Sequence, residues 1–281
     1  MADDVFSLRD QRALFVPPIA ARKGEIVPGF SLRTGGRSKP PWASLNLGLH
    51  VSDMDTDVIA NRELLAGDLG LPLERWIFAE QVHGTEIATV SAAQCGFGAR
   101  TLATVIKGVD GLITQAPNIC LALCFADCVP IYFYVTDPAA VAILHAGWRG
   151  TVGEGARKMV ERLARELQLS SMAQIHVIIG PAIGKTDYEV DDQIIQRVRQ
   201  LKPFIWRDAV VPRENGHYLL DLKALNRAVL IDAGIPEHNI AGTGYTTFRH
   251  PDLFFSHRRD RGSTGRMLGF IGRLTEGEHQ S

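Results

Sequence analysis

Three observations in the sequence predict a mixed α+β fold in one domain. Short apolar, β-branched segments recur through the middle of the chain, bounded by Gly, Pro and Asp, at lengths that suit strands. Several follow one another with only turns between them, which favours antiparallel hairpins over repeated βαβ units. Other segments carry apolar residues at spacings of three and four with charges between them, the mark of amphipathic helices.

Taken in order, Pro17-Pro18 and the stretch from Gly35-Gly36 to Pro40-Pro41 read as loops, neither long enough to separate domains. Strands are expected at 109–113, 119–125, 129–135, 140–145 and 175–179. Thr151 and Glu154 fit a capping box that opens a helix bearing Ala156, Val160, Leu163 and Leu167. Asp191 or Asp192 opens a second helix with Ile194, Val198 and Leu201. A third covers about 220–233 and stops at Gly234. Phe254-Phe255-Ser256 and then 267–274 read as strand again.

Composition narrows the class. The 281 residues are 46% hydrophobic and 22% charged, ordinary for a protein with a sizeable core. Lys plus Arg number 30 against 31 for Asp plus Glu, and this balance argues against a general nucleic-acid binder or a polybasic membrane anchor. The acidic opening lacks the blocks of a signal peptide, and no uncharged apolar run approaches the ~20 residues of a membrane helix. Four cysteines are too few for a disulfide scaffold, so reduced thiols and a cytoplasmic enzyme are expected.

The most informative stretch is 125–150. Asp137-Pro138 marks a turn between two apolar runs, and a turn centred there gives cross-strand pairs whose numbers sum to about 275. Cys128 and His145 then lie opposite or one step off, with Cβ atoms ~5 Å apart if they share a face. The pair is either a thiolate–imidazole couple or a buried cysteine beside a satisfied core histidine. Asp127 and Pro130 interrupt the apolar run around Cys128, which favours the first. Asp127 itself is the nearest candidate proton shuttle, although a turn or capping carboxylate is the simpler reading. After His145, Ala146-Gly-Trp-Arg-Gly150 leads into the capped helix, where backbone N–H groups favour an anion. Arg149 either adds a contact to phosphate there or is a loop arginine. His83, in Gln81-Val-His-Gly84, completes an N,S,N set that suits zinc with an open fourth position. Cys120, Cys124 and Cys128, spaced by four, would share one face of a continuous strand, the first two as core.

Several motifs together resemble the YfiH, or laccase-domain, family. They are Gln81-Val-His-Gly84, Ala126-Asp-Cys-Val-Pro130, His145-Ala-Gly-Trp-Arg-Gly150, Ile179-Gly-Pro-Ala-Ile-Gly184 with Tyr188-Glu-Val190, and Phe254-Phe-Ser-His-Arg-Arg-Asp260 with Thr264-Gly-Arg266. Arg33-Thr-Gly-Gly36 and Ser44-Leu-Asn-Leu-Gly48 fit the same pattern. The resemblance implies a single YfiH-like domain over 1–281, core about 30–272, built as a four-layer α/β/β/α sandwich with mixed sheets. It implies a zinc site of His83, Cys128 and His145, and activity on purine nucleosides. That activity comprises phosphorolysis of adenosine, inosine and methylthioadenosine, and deamination of adenosine. On the resemblance alone, Asn46 and Arg33 line the pocket. Two positions depart from the family pattern: Thr246-Thr247 where Cys-Thr is usual, and His257 where Tyr is common.

Three chemistries compete. The first is zinc-dependent nucleoside chemistry, with Arg149 and the following helix start for phosphate, and Arg258 and Arg259 assisting or forming a solvated face. The second is a copper polyphenol oxidase, weakened because the nine histidines include no His-x-His pair, so that any copper would be adventitious. The third is a metal-free cysteine hydrolase using Cys128 with His145 as base, which leaves His83 without work. The expected partners are purine nucleosides and phosphate.

Overall fold

The computed structural model describes residues 4–8 and 11–275. Its frame is two large sheets. In the first, of seven strands, Met267–Leu274 lies between Gly24–Ser31 and Cys120–Phe125, antiparallel to both, and Trp76–Phe78 adds a parallel edge. The second, of six strands, runs in the order Ile240–Gly242, His176–Ile179, Val129–Thr136, Ala139–Ala146, Gly111–Thr114 and Ile87–Thr89. Its two outer pairs are parallel and the inner pairs antiparallel, so the sheets are mixed.

Side-chain alternation along these strands explains the layers. Tyr132, Val141, Ile143 and Leu112 point one way and pack against Leu121 and Ile271 of the first sheet. Their neighbours Ile131, Phe133, Ala142 and Leu144 point the other way, onto a helical layer. Met159, Val160 and Leu163 of the helix Gly155–Glu166 meet them there, with Leu225 and Val229 of Leu222–Asp232. On the far side of the first sheet, Trp76, Cys120, Ala122 and Phe270 pack with Leu65 and Ala66 of the helix Asp55–Leu69. Strands buried on both faces read as continuous apolar runs, which is why the middle of the chain was legible. The result is the four-layer α/β/β/α order.

Several elements match their sequence signals. Asp191 caps Asp192–Val198 by accepting the Ile194 N–H at 3.1 Å, and Asp221 caps Leu222–Asp232 through Ala224 N–H at 2.9 Å. Gly234, at φ +95°, ends the latter helix.

Two expectations are corrected, and one helix was not foreseen. Thr151 and Glu154 form no capping box. A five-residue helix, Trp148–Val152, starts at Gly147, and the Thr151 hydroxyl donates back to Gly147 O at 2.9 Å. Glu154, at φ +54°, breaks the path before Gly155–Glu166, and its carboxylate accepts from Arg157 instead. So short a helix carries little dipole toward an anion. Phe254-Phe255-Ser256 is not a strand: both rings are fully buried, and the segment lies between turns as an anchor. The helix Asp55–Leu69 gave no sequence signal, because buried Asn61 and Arg62 sit among its apolar residues and blur the stripe.

Candidate metal centre and its cleft

The hairpin register places the key pair. Thr136 faces Ala139 and Pro130 faces His145. Cys128 lies two residues before Pro130, in the bend ahead of the strand, so it meets His145 on the diagonal rather than as its direct partner. The bend also takes Cys128 off the strand that carries Cys120 and Cys124, which corrects the single-face expectation. Cys120 is core, whereas Cys124 opens partly onto the cleft. Gly147 makes the approach possible: a Cβ there would lie 3.0 Å from Cys128 Sγ and 3.2 Å from His83 Cδ2.

Asp110 organises the donors. Fully buried, it takes His145 Nδ1 at 2.8 Å on one carboxylate oxygen, which leaves Nε2 as the free ring nitrogen. The same carboxylate accepts backbone N–H groups from Val82 at 3.2 Å, His83 at 3.0 Å and Gly84 at 2.6 Å. His83 sits at φ +59°, a left-handed backbone that costs energy for a non-glycine residue and persists because these bonds hold it. Gln81 closes the loop onto the first sheet by exchanging two 2.7 Å bonds with the Cys124 backbone.

Electrostatics follow from this packing. Burial pushes Asp110 up, yet the bonds from His145 and the loop outweigh it and hold the carboxyl below its ordinary range. Burial likewise raises Cys128, but the imidazoles, His145 foremost, bring the thiol down to about 6. Burial lowers His145, while the Cys128 thiolate and Asp110 raise it to about 9. A thiolate and two imidazoles therefore converge.

One donor atom from each of His83, Cys128 and His145 lies within 4.8 Å of the others. Small side-chain rotations reach the ~3.5 Å edge of a tetrahedron with Zn–N and Zn–S bonds. Neutral-nitrogen and thiolate donors suit zinc or copper, and the carboxylate behind His145 is a common support for a ligating histidine. The residues fit a metal ion with one position facing the cleft.

The cleft has a volume of about 530 Å³, within the range of small-molecule sites. Arg149 and Arg258 line it, both solvent-exposed; the Arg149 guanidinium lies 5.0 Å over Trp148 and that of Arg258 4.9 Å over Tyr188. Asp127 also lines it, at φ +93°, but its oxygens accept from the Thr247 hydroxyl at 2.6 Å and Arg258 N–H at 2.7 Å. That is the pattern of an anchoring carboxylate.

Asn46 and Arg33 do not line the cleft, correcting that expectation. Asn46 is fully buried and its Oδ1 accepts from Gly48 and Arg266 N–H groups. Arg33 donates to Pro251 and Ala43 carbonyls and stacks on Phe255. Arg259 is likewise spent on the carbonyls of Thr247, Phe248 and Phe254. Of the two departures, His257 lines the cleft and Thr246 does not.

Sequence reasoning missed Asp110, His50 and the cleft position of Arg266. The signal for Asp110 was available: a carboxylate opening an otherwise apolar strand.

Fold and donor set together define a four-layer protein with a three-residue, metal-type centre at the foot of a cleft. Residues 27–274 match the family described as multi-copper polyphenol oxidoreductase laccase, and the chain belongs to that family. A Geobacillus stearothermophilus protein named purine nucleoside phosphorylase YlmD is 48% identical over 264 residues, 92% of this chain and 93% of that one. A Bacillus subtilis protein of the same name is 44% identical over 248 residues, 88% of each chain. The crystal structure of YlmD from Geobacillus stearothermophilus is similar with a TM-score of 0.89 and 46% identity, covering 97% of this chain and 100% of that one.

Proposed function

We propose that this chain is a zinc-dependent purine nucleoside enzyme. It cleaves adenosine, inosine and methylthioadenosine with phosphate, and also deaminates adenosine. The observation that carries this reading is the His83, Cys128 and His145 donor set, oriented by Asp110 and open to a nucleoside-sized cleft. The names of the related proteins support the substrate class.

A zinc ion held by these three side chains supplies Lewis acidity and one open coordination position. The chain's own part is to bind, orient and hold charge. Asp110 fixes the His145 ring so that Nε2 faces inward. Arg149 and Arg258 place positive charge at the mouth, where phosphate enters, Arg258 held over the Tyr188 ring and bonded to Glu189 O at 2.7 Å. In phosphorolysis a phosphate oxygen bonds to C1′ as the C1′–N9 bond breaks with its electron pair; the proton that hydrogen phosphate brings ends on the departing purine, giving base and ribose 1-phosphate. In deamination water adds at C6 and ammonia departs, leaving inosine.

A cysteine hydrolase would also use the Cys128 thiolate beside the protonated His145. It gives no work to His83, which the chain holds in a strained conformation. A multicopper oxidase needs several metal positions, and among the described residues three or more donors converge only at this set.

Zinc-loaded wild type and Cys128→Ala, given adenosine with and without phosphate, test the proposal by chromatography of products. Adenine only with phosphate, inosine without it, and a loss of both of about 100-fold or more in the variant are expected. No product from stoichiometrically loaded wild type overturns it.

A further inference from the structure

Phosphate needs a seat inside the cleft, and Arg149 stands at its mouth, solvent-exposed and with no hydrogen bond fixing its guanidinium among the described residues. A better-built position lies on another wall. Arg266 is half-buried, and its Nη1 donates to Thr264 and Gly265 carbonyls at 2.9 and 3.0 Å. Its Nε and Nη2 donate to no group among the described residues, and no carboxylate there lies within ion-pair distance of it. The carboxylates that line the cleft are engaged elsewhere: Asp127 by Thr247 and Arg258, Glu80 by the Gly108 N–H at 3.2 Å. The Cys128 thiolate and Asp127 act on it only through space, and a half-buried guanidinium with unused donor edges is costly, so those edges mark a place for a ligand.

His50 stands beside it. Its ring lines the same cleft and makes no hydrogen bond among the described residues. The residue is solvent-exposed on one side, and partial burial against the cleft, then Arg266 and Arg62, pull the ring below its ordinary value, so it meets a ligand as a neutral donor or acceptor.

The short segment from Asn46 to His50 builds this arrangement. Asn46 Oδ1 accepts the Arg266 N–H at 2.9 Å, and Leu47 N–H donates to Arg266 O at 3.0 Å, which pins the backbone from which the guanidinium projects. A Cβ on Gly48 would lie 2.8 Å from Arg266 Cγ and 3.2 Å from His50 Cε1. Glycine at 48 is therefore what lets the two side chains stand together.

We propose that Arg266 and His50 form the seat of the oxyanion co-substrate, inorganic phosphate, inside the cleft, and that Arg149 acts only at the entrance. The proposal rests on the phosphorolysis reading for its kinetics, but the seat is also testable by binding alone. A guanidinium fork with two unused donor edges matches a tetrahedral oxyanion, and a neutral imidazole donor adds a further contact.

The test uses zinc-loaded wild type, Arg266→Gln, Arg266→Lys, His50→Gln and Arg149→Gln, with inosine and inorganic phosphate varied separately. Arg266→Gln is expected to raise the phosphate KM about 30-fold and the nucleoside KM less than about threefold, the loss of charge-assisted hydrogen bonds to one ligand only. Zinc content and the far-UV circular dichroism spectrum match wild type, which shows that the variant folds and holds its metal. Arg266→Lys recovers part of the effect, since charge returns without the fork. His50→Gln raises the phosphate KM about five- to tenfold, and Arg149→Gln less than about threefold. A larger effect from Arg149→Gln than from Arg266→Gln, or an effect of Arg266→Gln on nucleoside KM alone, overturns the proposal. Calorimetric titration with phosphate separates the two readings. If wild type binds phosphate and Arg266→Gln does not, the seat stands even if no phosphorolysis occurs; if wild type binds none, the seat is overturned.

Discussion

Asp110 gathers four donors from two chain segments and holds two of the three metal-type ligands. Asp127, only one residue from Cys128, gathers two donors from the 247–258 region and touches no ligand side chain. Both are buried, both are satisfied, and each sits against a left-handed backbone: that of His83 for Asp110, its own for Asp127. The difference lies in what each carboxylate is tied to. One is joined to the chemistry through an imidazole, the other to the wall through a backbone amide. Burial and strain alone do not distinguish a positioning group from a scaffold group; the identity of the donor does.

The sharpest break of this comparison is Asp110→Asn. It removes the charge behind His145 and two acceptor positions of the loop, and zinc affinity is expected to fall about 10–100-fold, read by competition with a chelator. Affinity within about twofold of wild type would make Asp110 a scaffold group like Asp127.

A second measurement sharpens the electrostatic side in metal-free protein. Cys128, depressed to about 6, contributes stability that is lost as pH falls through that value; His145, raised to about 9, contributes stability that is lost as pH rises through that one. The thiolate–imidazolium pair thus persists between about pH 6 and about pH 9. Alkylation of Cys128, corrected with Cys128→Ser, should reach half its limiting rate near pH 6, and Asp110→Asn should move that midpoint upward by about one unit as His145 loses its partner. A wild-type midpoint at the ordinary thiol value would refute the pairing.

The smallest effect is expected from Asp127→Asn. It weakens bonds to Thr247 and Arg258, costing about 1–3 kcal/mol in urea unfolding, with zinc affinity changed less than about threefold. A change in affinity equal to that of Asp110→Asn would erase the distinction.

The sequence made the hairpin legible because a single strong turn, Asp137-Pro138, fixes every pair along two long apolar strands. The displacement of Cys128 was not legible, since a bend of left-handed backbone at Asp127 leaves no mark in a pairing rule. His83 was found as a ligand type, yet the carboxylate that orients it is distant in sequence and reads locally as a strand end. Asn46 and Arg33 show the opposite failure. Their polar side chains suggest a pocket, whereas their bonds go to the chain's own amides and carbonyls. The helix Asp55–Leu69 escaped because Arg62 is buried on it, its charge met by carbonyls of Leu47, Gly98 and Ala99.

The chain spacing of the three donors has a mechanical consequence. Cys128 and His145 already belong to one closed hairpin, so gripping both adds little constraint. His83 arrives from the far side of a long excursion that includes the strands Ile87–Thr89, Gly111–Thr114 and Cys120–Phe125. A cation held by all three works as a clasp on that excursion, fastening the 81–84 loop to the hairpin, and the melting temperature should follow the free metal concentration through this one leg.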